Sequence, residues 1–582
     1  MRRKGIWLVL SLLMVAALVV SSCQPAAEEG EEGKTVVGEV VEKGGPAVEK
    51  EKEEGPAAEE EEGPVMVRDA FGKMKEKPEY GGTITFTLDA GSATTILDPV
   101  YSTRSVLNAV HTYGRLGTAD WSRGPQGTEE FPFTSSYIPD EFLMGDVVES
   151  WEIIDLDTIV FKLRDNVYWH NKPPMNGRQF TVEDVQFSFE YAQSDPRNVF
   201  YTEEEEQDPP FFVKIDNETF ELNYSDPDTR MLHGTANWIY MMPREVVEQV
   251  GDCADPKVQV GIGPFMLEDL VPDSSMTWHR NPNYHHFDPS FPENRLPYID
   301  KLEAIVIPDE STRLAALRTH KADLMWVPYD KVDGIIRSNP ELKWRKVQPD
   351  SSYCMWPRND LEPFSVKKVR HAIALAIDQP AIAEEYYEGK AFMLTWPVMP
   401  SFVDHYTPLE ELPETSRILY EHHPDIAREY LAEAGYPNGF AFECLVSAAS
   451  PRSVEVMSLV KGWLAEVGID MTIRSMEATT FGNTLWLRTF PGMCYISWGN
   501  NGIDDAFGWA HGGWVSDAGV GSVYAFSNVV DPVAQETYET LTQTMDPEER
   551  SRIRKEENLR EIDLCWRYHY LRPPGTASGS PG

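Results

Sequence analysis

The sequence predicts an α/β protein of two or three packed lobes, carried behind an export leader and an acidic stalk. Three observations point there. Strand and helix signals alternate as strand–helix–strand at 301–307, 311–320 and 322–327, and again at 441–446, 453–467 and 469–476. Two βαβ-like units are the mark of α/β lobes. The chain is 582 residues long, 41% hydrophobic, with 16 Trp, 24 Tyr and 25 Phe, enough for a large core. The first 23 residues read as a leader rather than as part of that core.

In the leader, Arg2, Arg3 and Lys4 form a positive n-region and residues 6–20 an apolar run. About 15 apolar residues are short of the roughly 20 that span a bilayer. Val20-Ser21-Ser22-Cys23 follows, an order that resembles the lipobox of bacterial lipoproteins. Small side chains fit a narrow peptidase cleft, and the Cys23 thiol accepts the lipid. Residues 1–22 are therefore expected to be a signal peptide and Cys23 the anchored first residue of the mature chain. Residues 24–64 carry 14 Glu against 4 Lys among Gly, Ala, Pro and Val. Such a segment cannot bury enough apolar surface to offset its ordering entropy, and like charges extend it. Residues 23–79 are expected to form a lipid-anchored acidic stalk.

A net charge of −42 argues against nucleic acid as a partner. The cysteines Cys253, Cys354, Cys444, Cys494 and Cys565 are widely spaced, without zinc-ligand spacing, and are expected to be buried thiols with at most one disulfide. No metal and no cofactor is expected. His422-His423 precedes Pro424-Asp425 and reads as an exposed helix start. His170, beside Trp169, reads as structural.

The folded body is expected from Tyr80-Gly81-Gly82. Residues 83–88 alternate polar and apolar side chains as a strand. Thr181-Val182-Glu183-Asp184 reads as a capping box. Asp378 precedes Pro380 near the first turn of a helix that Gly389 ends, Asp425 opens a helix closed by Gly435, and Asp546-Pro547 starts another.

Six stretches, in order over about 80–566, resemble the family 5 extracellular solute-binding proteins, the peptide, nickel and oligosaccharide receptors of ABC importers. They are Tyr80-Gly81-Gly82-Thr83 with Leu97-Asp98-Pro99; Val148-Glu149-Ser150-Trp151 through Trp169-His170 to Thr181-Val182-Glu183-Asp184; Gly261-Ile262-Gly263-Pro264-Phe265 with Arg280-Asn281-Pro282-Asn283-Tyr284; Pro297-Tyr298-Ile299-Asp300 with Ile307-Pro308-Asp309; Val369-Arg370-His371-Ala372 with Ala376-Ile377-Asp378; and Leu431-Ala432-Glu433-Ala434-Gly435-Tyr436-Pro437 with Val467-Gly468-Ile469. The resemblance implies a two-lobed periplasmic-binding-protein clamshell of the class II type. Lobe I is expected at 80–308 with an inserted subdomain at about 120–210, lobe II at 309–566, and a short tail at 567–582. The ligand would lie between the lobes and closure would bury it.

Two departures from the family pattern bear on the ligand. Peptide binders of the family place an aspartate for the peptide amino terminus shortly after a Gly/Ser-Trp pair. Here Ser497-Trp498 is followed by Gly499, Asn500, Asn501, Gly502, Ile503, Asp504 and Asp505, so an amide stands where the carboxylate is expected. An amide supplies hydrogen bonds but no charge to balance a buried ammonium. Asp504 or Asp505 would substitute if the loop shifts. Second, the family's segment that returns to lobe I after the last helix is here abbreviated or cut short. Trp498, Gly499, Asn500, Asn501, Asp504, Asp505, Tyr353, Trp356 and Arg358 are the expected ligand-binding residues. Arg358 would meet an anionic group, although a structural arginine is the stronger reading.

No G-x-S-x-G, HExxH or Walker A motif is present, and Pro264 removes a donor from Gly261-Ile262-Gly263, so no enzyme is expected. The function implied is capture of a peptide-like or oligosaccharide-like solute and its delivery to an ABC permease with its ATPases. The protein would act as a monomer on the outer side of the cell membrane. The competing readings are a secreted hydrolase of peptides or glycans and a sensor or adhesin without transport.

Overall fold

The computed structural model describes residues 65–579 apart from 89–96, 101–105, 126, 134–137, 195–210, 225–228, 230, 348–350, 392, 396–397, 399, 401, 403–404, 449, 500–526, 530 and 571–574. Cys23 and the stalk to residue 64 lie outside the described residues.

The first lobe is built on a seven-stranded mixed sheet. Its order is Phe265–Val271, Ser275–Arg280, Lys301–Val306, Thr83–Leu88, Leu324–Val327, Gly575–Gly579, Lys343–Val347. Thr83–Leu88 is central and parallel to both neighbours, with Leu302 opposite Ile84 and Leu324 opposite Phe86. Alternate residues bury Leu267, Met276, Trp278, Leu302 and Ala304 on one core. The helices Glu310–Arg318 and Tyr329–Ser338 seal a second with Leu314, Leu317, Met325, Val327 and Ile335.

This sheet relocates the lobe boundary. Residues 310–347 were expected in lobe II, yet two of their strands pair in the sheet of Thr83–Leu88. The reason is topological. A strand joined through one helix to a parallel partner stays in its sheet, and the 301–327 pattern is such a unit. The tail is also more than a loose end. Gly575–Gly579 runs antiparallel between Leu324–Val327 and Lys343–Val347, so the return to lobe I is made by five residues.

The inserted subdomain is a four-stranded antiparallel sheet in the order Val148–Ile153, Thr158–Leu163, Thr219–Asn223, Phe211–Lys214, covered by the helix Val182–Gln193. It thus extends beyond residue 210. Phe161 stacks on Phe220 across the strands with ring centroids 5.2 Å apart. The expected capping box is present. Asp184 Oδ2 accepts the Thr181 N–H at 2.9 Å, and Arg178 grips the same carboxylate at 2.6 and 2.8 Å.

The second lobe carries a five-stranded sheet in the order Asp470–Met476, Ala441–Ser447, Met493–Gly499, Ser351–Pro357, Tyr568–Tyr570. The second βαβ unit forms as the pattern predicts, Ala441–Ser447 and Asp470–Met476 pairing in parallel around the helix Pro451–Glu466. Arg370 shows what the Val369-Arg370-His371 motif does. Its guanidinium donates to the carbonyls of Phe364 (2.8 Å), Ser365 (3.1 Å) and Leu564 (3.0 Å), tying Lys367–Ala376 to the end of Pro547–Leu564. Cys253, Cys354, Cys444, Cys494 and Cys565 are buried and unbridged. Among the described residues no helix is long and apolar enough to cross a membrane.

Candidate ligand cleft and hinge

The chain passes between the two sheets at 347–351 and at 570–575. Val347 pairs with Gly575 on one side and Tyr353 with Tyr570 on the other. The two connections therefore join a pair of antiparallel strands in one sheet to a pair of antiparallel strands in the other. A two-segment connection of this kind lets two rigid lobes rotate about a short axis. Beside it, the lobe I helix Tyr329–Ser338 meets lobe II. Tyr329 packs edge-on against Tyr387 at 5.6 Å, the Arg452 guanidinium lies 5.2 Å above the Tyr329 ring, and Lys390 pairs with Asp333 at 3.1 Å. A second contact comes from Thr229, whose N–H donates to the Thr542 carbonyl at 2.8 Å.

The expected ligand-binding residues divide into three groups around the antiparallel pair Ser351–Pro357 and Met493–Gly499. Trp498 and Gly499 are placed opposite Ser352 and Ser351 at the end of that pair. Asn500, Asn501, Asp504 and Asp505 follow and lie outside the described residues. Tyr353 is half-buried, its ring stacked 5.4 Å from Tyr495.

The structure takes Trp356 out of this set and gives Arg358 the structural role that is its stronger reading. Strand alternation turns Trp356 the opposite way from Tyr353. It is 1% exposed, in a core with Cys354, Leu445, Phe481, Leu485, Phe490 and Cys494. A side chain so enclosed has no surface to offer a solute. The Arg358 guanidinium is occupied internally. It holds Asp360 bidentately at 2.7 and 2.6 Å and donates to the carbonyls of Arg488 (2.5 Å) and Phe490 (3.1 Å). Asp360 in turn accepts from Asn528 at 3.2 Å, and Asn359 N–H donates to the Ser527 carbonyl at 2.9 Å. Burial raises the Asp360 pKa, but Arg358 and Asn528 outweigh it and hold the carboxyl below its usual value. Arg358 thus ties the end of Ser351–Pro357 to Ser527 and Asn528, while Gly499 pairs with Ser351 at the far end of the same strand.

In lobe I the family-like residues form a buried polar frame. Asp98 accepts from Val100 N–H (2.9 Å), Cys253 N–H (2.9 Å) and Tyr191 hydroxyl (2.8 Å), joining three separate segments. His170 is structural, as its setting beside Trp169 suggests. Its Nδ1 accepts the Gly261 N–H at 3.1 Å and its Nε2–H donates to the Gly263 carbonyl at 3.0 Å. Complete burial pushes its pKa down to about 4. Gly261 and Gly263 are there for close approach. A Cβ on Gly261 would lie 1.9 Å from the Thr112 carbonyl oxygen. His422 and His423 pair with Asp378 (3.2 Å) and Glu421 (2.9 Å) around the start of Pro424–Glu433 and form no ligand set.

A different histidine pair carries no signal of its role in the local sequence. His285 and His286 follow the Asn281-Pro282-Asn283-Tyr284 stretch, and both Nε2 atoms address one oxygen, Asp146 Oδ1, at 2.8 and 3.0 Å. Burial opposes ionisation of Asp146, yet hydrogen bonds from His285 and His286 hold its pKa well below the usual range. Burial likewise lowers the pKa of His285, against the pull of Asp146. The doublet was visible in the sequence, but its partner is 139 residues away.

The family of bacterial extracellular solute-binding proteins, family 5 (middle region), matches residues 143–513. This chain belongs to that family. It is 25% identical over 345 residues to the heme-binding protein A of Haemophilus influenzae, covering 56% of this chain and 60% of that protein. It is 27% identical over 227 residues to the glutathione-binding protein GsiB of Escherichia coli O1:K1, covering 38% and 40%. The chain therefore spans less than two thirds of the length of these relatives. Among solved structures, the fold matches the periplasmic binding protein DppA of Helicobacter pylori in complex with the peptide STSA (TM-score 0.67, 20% identity, 86% of this chain and 94% of that one). It also matches the oligopeptide-binding protein AppA of Bacillus subtilis with a nonapeptide (TM-score 0.66, 17% identity, 87% and 95%). The fold is accordingly a two-lobed α/β clamshell.

Proposed function

We propose that this chain is the solute receptor of an ABC importer, taking a peptide-like solute between its lobes and presenting it to a membrane permease. The observation that carries this reading is that two separately cored sheets share two chain connections, Val347 pairing with Gly575 in one sheet and Tyr353 with Tyr570 in the other, the kind of double connection about which two lobes close. Family membership supports it, and so do relatives named for the peptides and glutathione they bind. Trp498, Gly499, Asn500, Asn501, Asp504 and Asp505 line the lobe II side of the solute in this reading, with Tyr353 at its edge. Asn500 and Asn501 supply amide hydrogen bonds where a carboxylate would neutralise a free amino terminus, so solutes with a blocked or internally paired amine are favoured over free peptides. Cys23 carries the lipid that holds the receptor at the outer face of the membrane, and residues 24–79 are its tether. The receptor works as a monomer, without catalysis or a resident cofactor.

The test is calorimetric titration of the full chain, unfolded and refolded to remove carried-over solute, against peptides, N-acylated peptides, glutathione and oligosaccharides. One equivalent of a peptide-like solute should bind, with a decrease in radius of gyration. Trp498→Ala should weaken that binding by about 10- to 100-fold, the scale of a large aromatic contact. Binding only to oligosaccharides, or none across the panel, would defeat the peptide reading. Cys23→Ala should bind solute equally well and leave the membrane fraction; a variant that stays with the membrane would defeat the anchor.

A further inference from the structure

We propose that Asp146, His285 and His286 form a binding site for one divalent transition-metal ion of the zinc type, separate from the solute cleft. Among the described residues this is the one group of His, Cys, Asp and Glu side chains whose ligand atoms converge within 4.8 Å of one another. Two imidazoles and a carboxylate are a borderline donor set that suits zinc and its neighbours. Asp146 lies on the turn between the strands Leu143–Gly145 and Val148–Ile153, and the histidines follow the strand Ser275–Arg280. The ligands thus come from the subdomain edge and from the loop that follows a strand of the main lobe I sheet, and an ion between them would brace one against the other.

The geometry is close to what an ion needs. Both Nε2 atoms already face Asp146 Oδ1, at 2.8 and 3.0 Å. Tetrahedral zinc with ligands at about 2.0–2.1 Å separates them by about 3.3 Å, so each Nε2–Oδ1 distance opens by about 0.3–0.5 Å, and the two Nε2 atoms, within 4.8 Å of one another, come to the same spacing. The aim of the set is fixed from behind. Asp146 Oδ2 accepts the Arg115 N–H at 2.9 Å, and the Asp146 N–H donates to the Leu116 carbonyl at 2.8 Å. The Arg164 guanidinium sits nearby but is turned to the carbonyls of Asp146 (2.9 Å) and Gly145 (3.0 Å). Tyr284 packs against both imidazoles, with centroids at 4.6 and 5.4 Å. The His286 side chain keeps 13% of its surface open, against 1% for His285. It marks the side from which an ion enters and a water completes the coordination. A ligating imidazole carries its proton on Nδ1 and gives the Nε2 lone pair to the metal, so the two hydrogen bonds to Asp146 Oδ1 are exchanged for two metal–nitrogen bonds.

The test uses the full chain, stripped with chelator and dialysed, and zinc in competition with a chromophoric chelator. The wild type should hold one tight equivalent, and its thermal midpoint should rise with zinc. His286→Gln, at the open edge, should weaken that equivalent by at least about 100-fold, the upper end of what even an outer-shell change costs, and remove the thermal shift. His285→Gln should do the same. Both variants retain the 94 acidic residues, so weak binding to carboxylates appears equally in all three proteins. Cobalt(II) should give the wild type a four-coordinate ligand-field spectrum that both variants lack. If the wild type binds no tight equivalent, or His286→Gln binds as tightly as wild type with the same spectrum, the cluster is a hydrogen-bonded brace and the site is refuted.

Discussion

His170 gives this protein a defined sensitivity to acid. The imidazole is fully buried, accepts at Nδ1 from Gly261 N–H and donates from Nε2 to the Gly263 carbonyl. A second proton would have to sit on Nδ1, pointed at another donor, in a fully buried site. Burial accordingly pushes the folded pKa to about 4, against 6.5 for the free side chain. The sign follows directly. Below pH 6.5 the unfolded chain takes up a proton that the folded chain refuses, so stability is complete above pH 6.5 and is lost as pH falls toward 4. For these two pKa values the loss attributable to His170 is about 1.3 kcal/mol at pH 5.5 and about 2.5 kcal/mol at pH 4.5. His170→Gln removes the titration. At pH 7.5 it should be about 1–3 kcal/mol less stable, since the Gly261 N–H or the Gly263 carbonyl loses its partner. The gap between wild type and variant should then narrow by those same amounts on acidification. Urea unfolding followed by tryptophan fluorescence at pH 7.5, 5.5 and 4.5 measures this, and taking the difference cancels the carboxylates common to both proteins. A gap that stays constant from pH 7.5 to 4.5 would show that His170 titrates normally and would overturn the argument.

The other predictions concern packing and the cleft flank. Gly261→Ala places a Cβ 1.9 Å from the Thr112 carbonyl oxygen, backbone that cannot step aside, and should cost about 3 kcal/mol or more in the same unfolding assay. Trp356→Ala should cost about 3–5 kcal/mol through the cavity it leaves among Leu445, Phe481 and Phe490, with solute affinity of the folded protein unchanged within twofold by calorimetry. Arg358→Ala strands Asp360 and frees two carbonyls, so it should destabilise lobe II by about 2–4 kcal/mol and also weaken solute binding, because it releases Asn528, next in sequence to the stretch that carries the proposed contacts Asn500, Asn501, Asp504 and Asp505. Arg358→Lys cannot reproduce the bidentate grip and should recover only part of either property.

Features that depend on neighbours a few residues apart were legible in the chain. The two βαβ units formed as read, because their strand and helix periods are local and strong. The caps at Asp184, Asp378 and Asp546 accept the backbone N–H groups that their positions imply. The six family-like stretches were sufficient to name the fold. Tertiary structure alone decided which sheet each strand joins. Leu324–Val327 is compatible with either lobe until it is seen beside Phe86, and the Gly-Thr-Ala-Ser-Gly strand has too little apolar character to announce itself. It also decided which aromatic and charged side chains are spent internally. Trp356 reads as a ligand contact from where the chain approaches the hinge, but strand alternation turns it into a core; for Arg358 the tertiary partner Asp360 settles between the two roles in favour of the structural one. The Asp146–His285–His286 cluster belongs to the same class. Its members become neighbours only when the subdomain turn packs against the edge of the lobe I sheet, a contact between segments 139 residues apart for which no local pattern exists.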